Sequence, residues 1–128
     1  MAEFSNFFEN KIIDHMLRAV AFTPPATIYL ALYTVAPTDA GGGTEVSGGA
    51  YARQAFTLTA ASAGASSNSA DITFPTATAD GGTVVACAIL DAATAGNFLM
   101  WINLDASKAV ATGDTFKINA EDLDITVD

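Results

Sequence analysis

The spacing of hydrophobic positions divides the chain into a short N-terminal helical segment and a longer β-type region. In residues 5–20 the apolar side chains recur at steps of three and four, which is the spacing of one helix face. These positions are Phe8, Ile12, Ile13, Met16, Leu17 and Val20. Ser5 or Asn6 can cap the first turn, and Pro24 with Pro25 prevents continuation. We therefore predict an amphipathic helix over about residues 5–20, with its apolar face buried either on the chain's own sandwich or on a neighbouring subunit.

Beyond Pro25 the hydrophobic period changes to two, which is typical of strands. Residues 27–34 alternate between two apolar faces, one formed by Ile28, Leu30 and Leu32 and the other by Tyr29, Ala31 and Tyr33. A strand with this composition is predicted to be covered on both sides. Further strands are predicted at 51–58, 70–74, 83–90, 97–103, 108–110, 115–118 and 123–127.

Segments rich in glycine and other small residues separate these strands. Residues 37–49 are predicted to form a loop, residues 61–69 a turn region, and residues 91–96 a hairpin connection. Seven or eight short strands without a second helical pattern favour an antiparallel sheet, because a parallel sheet needs crossover helices. We predict a mainly β fold, an antiparallel β-sandwich of about 7–8 strands with one N-terminal amphipathic α-helix.

Length and charge narrow the classes of function. The 128 residues fit a single domain spanning 1–128, with the helix at about 5–20 and the sandwich at about 26–128. A formal charge of −9 with only 5 basic residues disfavours binding to nucleic acid or to an anionic membrane. We expect a soluble protein made in a cytoplasm, without a targeting or membrane-spanning segment. A small domain of this kind also gains stability by associating with copies of itself.

The residue types that carry catalysis are sparse. His15, the single histidine, lies in the middle of the predicted helix and is predicted to be a surface or interface residue. Cys87, the single cysteine, lies in the apolar run 83–90 and is predicted to be buried. The acidic group near the C-terminus, formed by Glu121, Asp122, Asp124 and Asp128, does not have EF-hand spacing and indicates a solvated edge more than a calcium site. The chain is predicted to have no catalytic residues, no metal and no cofactor.

Two further patterns leave alternatives open. Arg53 is the one basic residue within an apolar strand, so its guanidinium should pair with a carboxylate, either inside the chain or across an interface. Aromatic side chains could offer flat faces to a sugar ring, although packing within strands explains them equally well. The candidates for such a platform are Tyr29, Tyr33, Tyr51 and Trp101.

Several segments resemble a family of small bacteriophage virion proteins commonly labelled phage tail fibre protein. The resemblance is carried by Ser5–Arg18, Phe22–Tyr33, Pro37–Gly41, Gly43–Gln54, Ser67–Pro75, Ile89–Thr94 and Thr112–Phe116. It spans nearly the whole chain. It implies a β-rich, non-enzymatic structural component of the virion, present in many copies and without catalytic residues.

The resemblance implies assembly with other virion proteins and with copies of the same chain. A place in the tail, the tail fibre or the baseplate region is expected, with capsid decoration as the alternative. A carbohydrate-binding module that recognises a host-surface glycan is a second alternative. Candidate contact residues are Phe4, Phe7, Phe8, Ile12 and Arg53. The three phenylalanines either dock on a neighbouring subunit or cap the open end of the sandwich.

Overall fold

A computed structural model describes residues 2–127 of the chain. In chain order the elements are β1 (Ala2–Phe4), α1 (Asn6–Leu17), β2 (Ile28–Val35), β3 (Thr44–Glu45), β4 (Gln54–Phe56), β5 (Ala65–Ser67), β6 (Ile72–Thr73), β7 (Gly82–Leu90), β8 (Phe98–Val110), β9 (Lys117–Ile118) and β10 (Asp124–Thr126). The predicted mainly β fold, with antiparallel strands and one helix near the N-terminus, is confirmed.

The helix is shorter than the sequence pattern predicts. Ser5 caps it, as expected, but α1 ends at Leu17 because Ala19 adopts a left-handed backbone with φ of 57°. The N–H of Val20 then turns back and donates to the carbonyl of Asp14 at 3.0 Å. This turn ends the helix well before the two prolines. Within residues 2–127, no helix combines the length and apolar character needed to cross a membrane.

The main sheet has the strand order β1-β8-β7-β2-β3, and β4 also pairs with β2. All of its pairings are antiparallel. Strand β2 lies inside the sheet, with β7 on one side and the two short strands β3 and β4 on the other. The connection at residues 91–96 joins β7 to β8 as the predicted hairpin.

Both faces of β2 are covered, which confirms the two-sided strand predicted from its alternation. On one face Leu30 and Leu32 pack with Cys87 and Ile89, the residues opposite them on β7. The other face is built from Ala31, Tyr33, Ala86, Ala88 and Leu90, with Phe98 and Trp101 half-buried against it. Small side chains fill the middle of this second face, so the sheet is apolar on both sides where β2 and β7 pair.

Two small ladders complete the larger core. Strand β5 pairs with β10, and β6 pairs with β9. Their apolar side chains join the face of the main sheet that carries Leu30 and Leu32. The buried members from this part of the chain are Ile72, Phe74, Phe116, Leu123 and Ile125. The two small ladders are therefore held to the main sheet by hydrophobic packing.

Some strand boundaries were predicted wrongly. The two strands predicted at 97–103 and 108–110 are one strand, β8, whose partner register jumps from Ala86↔Asn103 to Val84↔Lys108. Residues 104–107 bulge out of the ladder there, and their mixed polar pattern resembles a turn. Strand β4 covers only Gln54–Phe56 of the predicted 51–58.

Three strands were not predicted at all. β3 lies within the predicted loop 37–49, β5 lies within the small-residue segment 61–69, and β1 precedes the helix. Each has two or three residues, which is too short for an alternation of apolar and polar positions to stand out.

Candidate interaction site at the N-terminal segment

The N-terminal residues form the edge of the main sheet before the chain enters the helix. Strand β1 pairs antiparallel with β8, and Phe4 lies opposite Met100. The next residue, Ser5, donates its backbone N–H to the Leu99 carbonyl at 2.8 Å. The N–H of Asn6 donates to the carbonyl of Asp39, also at 2.8 Å. The start of α1 is therefore fixed to the sheet and to the loop after β2.

Ser5 connects the helix to the sheet through its side chain as well. Its hydroxyl accepts the N–H of Phe8 at 3.2 Å and donates to the carbonyl of Phe98. The residue is 1% exposed, so both bonds lie away from water. A serine in this position satisfies one of the free N–H groups of the first helical turn.

Replacing Ser5 by alanine is expected to lower the free energy of unfolding by about 1–2 kcal/mol, because the helix loses its cap and the Phe98 carbonyl loses a donor. Urea unfolding followed by circular dichroism measures the change. Asn10→Ala, an exposed change within the same helix, serves as control and should stay within about 0.5 kcal/mol. Equal stability of Ser5→Ala and the original chain would contradict the capping role.

The three N-terminal phenylalanines pack against the chain's own core. Phe4 and Phe8 meet edge to face, with ring centroids 5.2 Å apart. Phe7 is half-buried, and the ammonium of Lys11 lies 5.6 Å from the centroid of its ring. All three rings are partly buried against the core cluster. Ile12, on the next turn of the helix, is half-buried. This arrangement favours the capping role for the rings.

The second half of the helix has a different environment. Ile13, Met16, Leu17 and Val20 are exposed in the single chain, so these residues are not buried on the chain's own sheet, and their burial on a neighbouring subunit stays a prediction. The helix contacts strand β8 through its N-terminal part, where the phenylalanines lie, and none of its residues is fully buried. We call the surface formed by Ile13, Met16, Leu17 and Val20 the exposed helix face.

Arg53, the fifth candidate residue, lies in a separate hydrogen-bond network. Its guanidinium donates to both carboxylate oxygens of Glu45, each at 2.8 Å. Nη1 donates to the carbonyls of Ala92 and Ala95 at 3.0 and 2.8 Å. The structure therefore pairs Arg53 with a carboxylate of its own chain and uses it to hold the β7–β8 hairpin against β3.

Tyr51 extends this network towards the core. Its hydroxyl donates to Glu45 at 2.8 Å and accepts the N–H of Leu32 at 3.1 Å. Burial raises the pKa of Tyr51, which stays protonated and able to donate. Burial also acts to raise the pKa of Glu45, but the hydrogen bonds from Arg53 and Tyr51 outweigh it and lower that pKa below 4.5. Glu45 is therefore ionised at neutral pH.

The lowered pKa of Glu45 predicts a component of acid sensitivity. Because the folded value lies below the unfolded one, the stabilisation is complete above about pH 5 and is lost as the pH falls through the folded value, below 4.5. Unfolding free energies measured from pH 7 to pH 3 should fall more steeply for the original chain than for Glu45→Gln. Asp71 and Asp80, whose pKa values are also lowered, are common to both proteins and cancel in the comparison. Parallel pH profiles would contradict the role given to Glu45.

The single histidine and the single cysteine lie in different environments. His15 is exposed on the helix, and its Nδ1 is 3.2 Å from the carbonyl of Val20, to which it can donate. Cys87 is 1% exposed, as predicted, and burial raises its pKa to about 12, so the thiol stays protonated. Among residues 2–127 no group of three or more histidine, cysteine or acidic side chains is arranged to hold a metal ion. Asp128 of the acidic C-terminal group lies outside the described residues.

The aromatic residues considered for sugar binding are largely engaged within the fold. Tyr51 stacks on Phe74 with ring centroids 6.1 Å apart, and Tyr33 is buried in the second face of the main sheet. Trp101 is half-buried, and its indole N–H donates to Asp39 at 3.2 Å. Tyr33 and Tyr51 are therefore engaged in packing, whereas Trp101 stays partly exposed.

The structure thus defines an antiparallel β protein with an N-terminal edge strand and a helix that is docked at its start and exposed at its end. The chain belongs to the family described as podophage GP4 fiber I protein gp80, whose model matches residues 3–126. The resemblance to phage tail fibre proteins is therefore confirmed, and the chain is a component of the virion. No curated protein matches the chain.

Proposed function

We propose that the chain is a non-enzymatic structural subunit of the tail fibre or baseplate region. In this role, 1–128 acts as one domain, is present in many copies, and assembles with other virion proteins and with copies of itself. The observation that carries the proposal is the family match, which covers residues 3–126 and so includes both the helix and the sheet.

The geometry supports a role in protein contact. The start of α1 is fixed to the sheet by Ser5 and by the half-buried phenylalanines, whereas the large apolar side chains of its second half are exposed. Its exposed face is apolar, which is typical of surfaces that other proteins cover. The buried, protonated Cys87 and the isolated His15 are consistent with a structural role.

Labelling of phage particles with an antibody against the chain tests this assignment. We expect label on the fibres or at the base of the tail, and we expect tails separated from heads to retain the protein. Label spread over the head would support capsid decoration instead. A chain that is absent from purified particles would contradict any structural role.

Recognition of a host glycan remains the second candidate, and Trp101 beside Asp39 is the observation that favours it. A sugar ring can stack on an indole whose neighbouring carboxylate accepts hydroxyl donors. Titration with host envelope polysaccharide, comparing the original chain with Trp101→Ala, tests it. Binding that the substitution abolishes would support this function, and a flat titration would exclude it.

A further inference from the structure

The exposed large apolar side chains are concentrated on one segment. Six such side chains are exposed among residues 2–127, and four of them form the exposed helix face. Met16 and Leu17 are 70% and 81% exposed. The remaining two, Val35 and Val127, belong to other parts of the fold. A contiguous group of this kind marks an interaction site more often than scattered single residues do.

Three of the four side chains lie on one side of the helix. Positions 13, 16 and 17 follow the three- and four-residue steps that place side chains above one another. Val20 follows the last helical turn, and its N–H is held by the Asp14 carbonyl at 3.0 Å. The exposed Val20 is therefore held close to the last turn of α1.

The charge of this segment differs from that of the rest of the chain. Residues 6–20 contain two acidic residues, Glu9 and Asp14, and two basic residues, Lys11 and Arg18, so the segment is formally neutral. The whole chain carries −9, and all of that net charge therefore lies elsewhere. Two copies repel each other over most of their surfaces, and this repulsion is weakest where the helices face each other.

We propose that copies of this chain associate through the exposed helix face. The inference rests on the proposed structural function and names the surface by which one subunit meets the next. Met16 and Leu17 form the centre of the contact, and Ile13 and Val20 flank them. The exposed helix face of one copy is covered by the exposed helix face of a second copy.

The charged neighbours of the face favour a second copy over a different partner. Asp14 and Arg18 form an ion pair of 2.7 Å within one helix. When two such helices run in opposite directions and cross at Met16, Asp14 of one copy comes opposite Arg18 of the other. The same two residues can then pair between chains. A basic partner would instead be drawn to the acidic remainder of the molecule.

The size of the face sets the expected affinity. A stable interface buries about 800 Å² on each partner, and four side chains supply less than that. We therefore expect weak association of the isolated chain, with a dissociation constant of about 10–100 μM. Within a fibre, attachment of neighbouring copies to one particle raises their effective concentration and makes such a contact sufficient.

Sedimentation equilibrium of the full chain tests the proposal. The original protein should associate reversibly over about 10–500 μM, and Leu17→Glu should weaken the association at least tenfold, because it places like charges in the centre of the contact. Val35→Glu introduces the same charge at an exposed valine of the sheet and should associate like the original. A chain that stays monomeric throughout, or that associates equally well as Leu17→Glu, would overturn the proposal.

Mixing two variants tests whether the occupant is a second copy. Leu17→Glu and Leu17→Lys should each be monomeric and should associate with each other when mixed, because opposite charges then meet at the contact. Circular dichroism of each variant checks that the fold is kept, which the 81% exposure of Leu17 leads us to expect. A mixture that stays monomeric while the original chain associates would place the contact elsewhere.

A milder substitution keeps the test independent of introduced charge. Cys87 is buried, so a cysteine at position 17 is the reactive thiol in Leu17→Cys. Mild oxidation should link this variant into disulfide-bonded dimers faster than it links Val35→Cys. Equal rates would contradict the proposed contact through the helix face.

The inference and the proposed function can fail separately. If the chain is found in fibres but fails these tests, the inference is refuted and the proposed function stands. If the chain associates in solution but is absent from particles, the proposed function is refuted and the inference stands.

Discussion

Phe74→Ala should lower the free energy of unfolding by about 3–5 kcal/mol, the largest loss expected for a single substitution in this chain. Phe74 is 3% exposed and lies where β6 meets the main sheet. Its ring stacks on Tyr51 and meets Phe116 edge to face, with ring centroids 6.1 and 5.8 Å away. Truncation of Phe74 removes both ring contacts and leaves a cavity beside Tyr51 and Phe116. Denaturant unfolding measures the change.

Phe74→Leu is the matched control. It keeps most of the buried volume and loses the aromatic contacts, so a loss of about 1–2 kcal/mol is expected. The free energy of unfolding should decrease from the original chain to Phe74→Leu and further to Phe74→Ala. If alanine cost less than about 1 kcal/mol, the small ladders would not be packed on the main sheet as described.

The second large effect is expected at Asn68, which is completely buried. Its amide donates to the carbonyls of Ala70 and Asn119, each at 2.8 Å, and its side-chain oxygen accepts the N–H of Leu123 at 2.9 Å. Asn68→Ala leaves three backbone groups without their partners. We expect a loss of about 3 kcal/mol in unfolding free energy, measured by thermal and denaturant unfolding.

Asn119→Ala provides the comparison for Asn68. The Asn119 side chain is exposed and donates to Asp122 at 3.3 Å, whereas its backbone carbonyl still accepts from Asn68 after the substitution. The loss should stay within about 0.5 kcal/mol. Similar losses in the two variants would show that Asn68 does not connect the C-terminal segment to the core.

Much of the fold could be predicted because long elements carry a clear period. Strand β2 and the β7–β8 hairpin have enough residues for alternation and turn signals to stand out, and α1 has a recognisable cap at Ser5. The short strands β1 and β5 depend on pairing with distant segments, and β3 has only two residues. Local sequence does not report such pairing.

The candidate site was predictable in composition but not in geometry. The sequence singles out the phenylalanines and the apolar helix positions, yet it cannot divide them between the docked start and the exposed end of α1. The division follows from Ser5, whose hydroxyl binds the distant Phe98 carbonyl. Asn68 likewise gives no local signal, because its partners at positions 119 and 123 lie more than 50 residues away.

The most direct test of the central claim is a cryo-electron microscopy reconstruction of the intact phage particle at a resolution that identifies this chain. The account predicts repeated copies of the mainly β subunit in the tail fibre or baseplate region, in contact with other virion proteins. Density for the chain in the head shell, or a particle complete without it, would contradict the account.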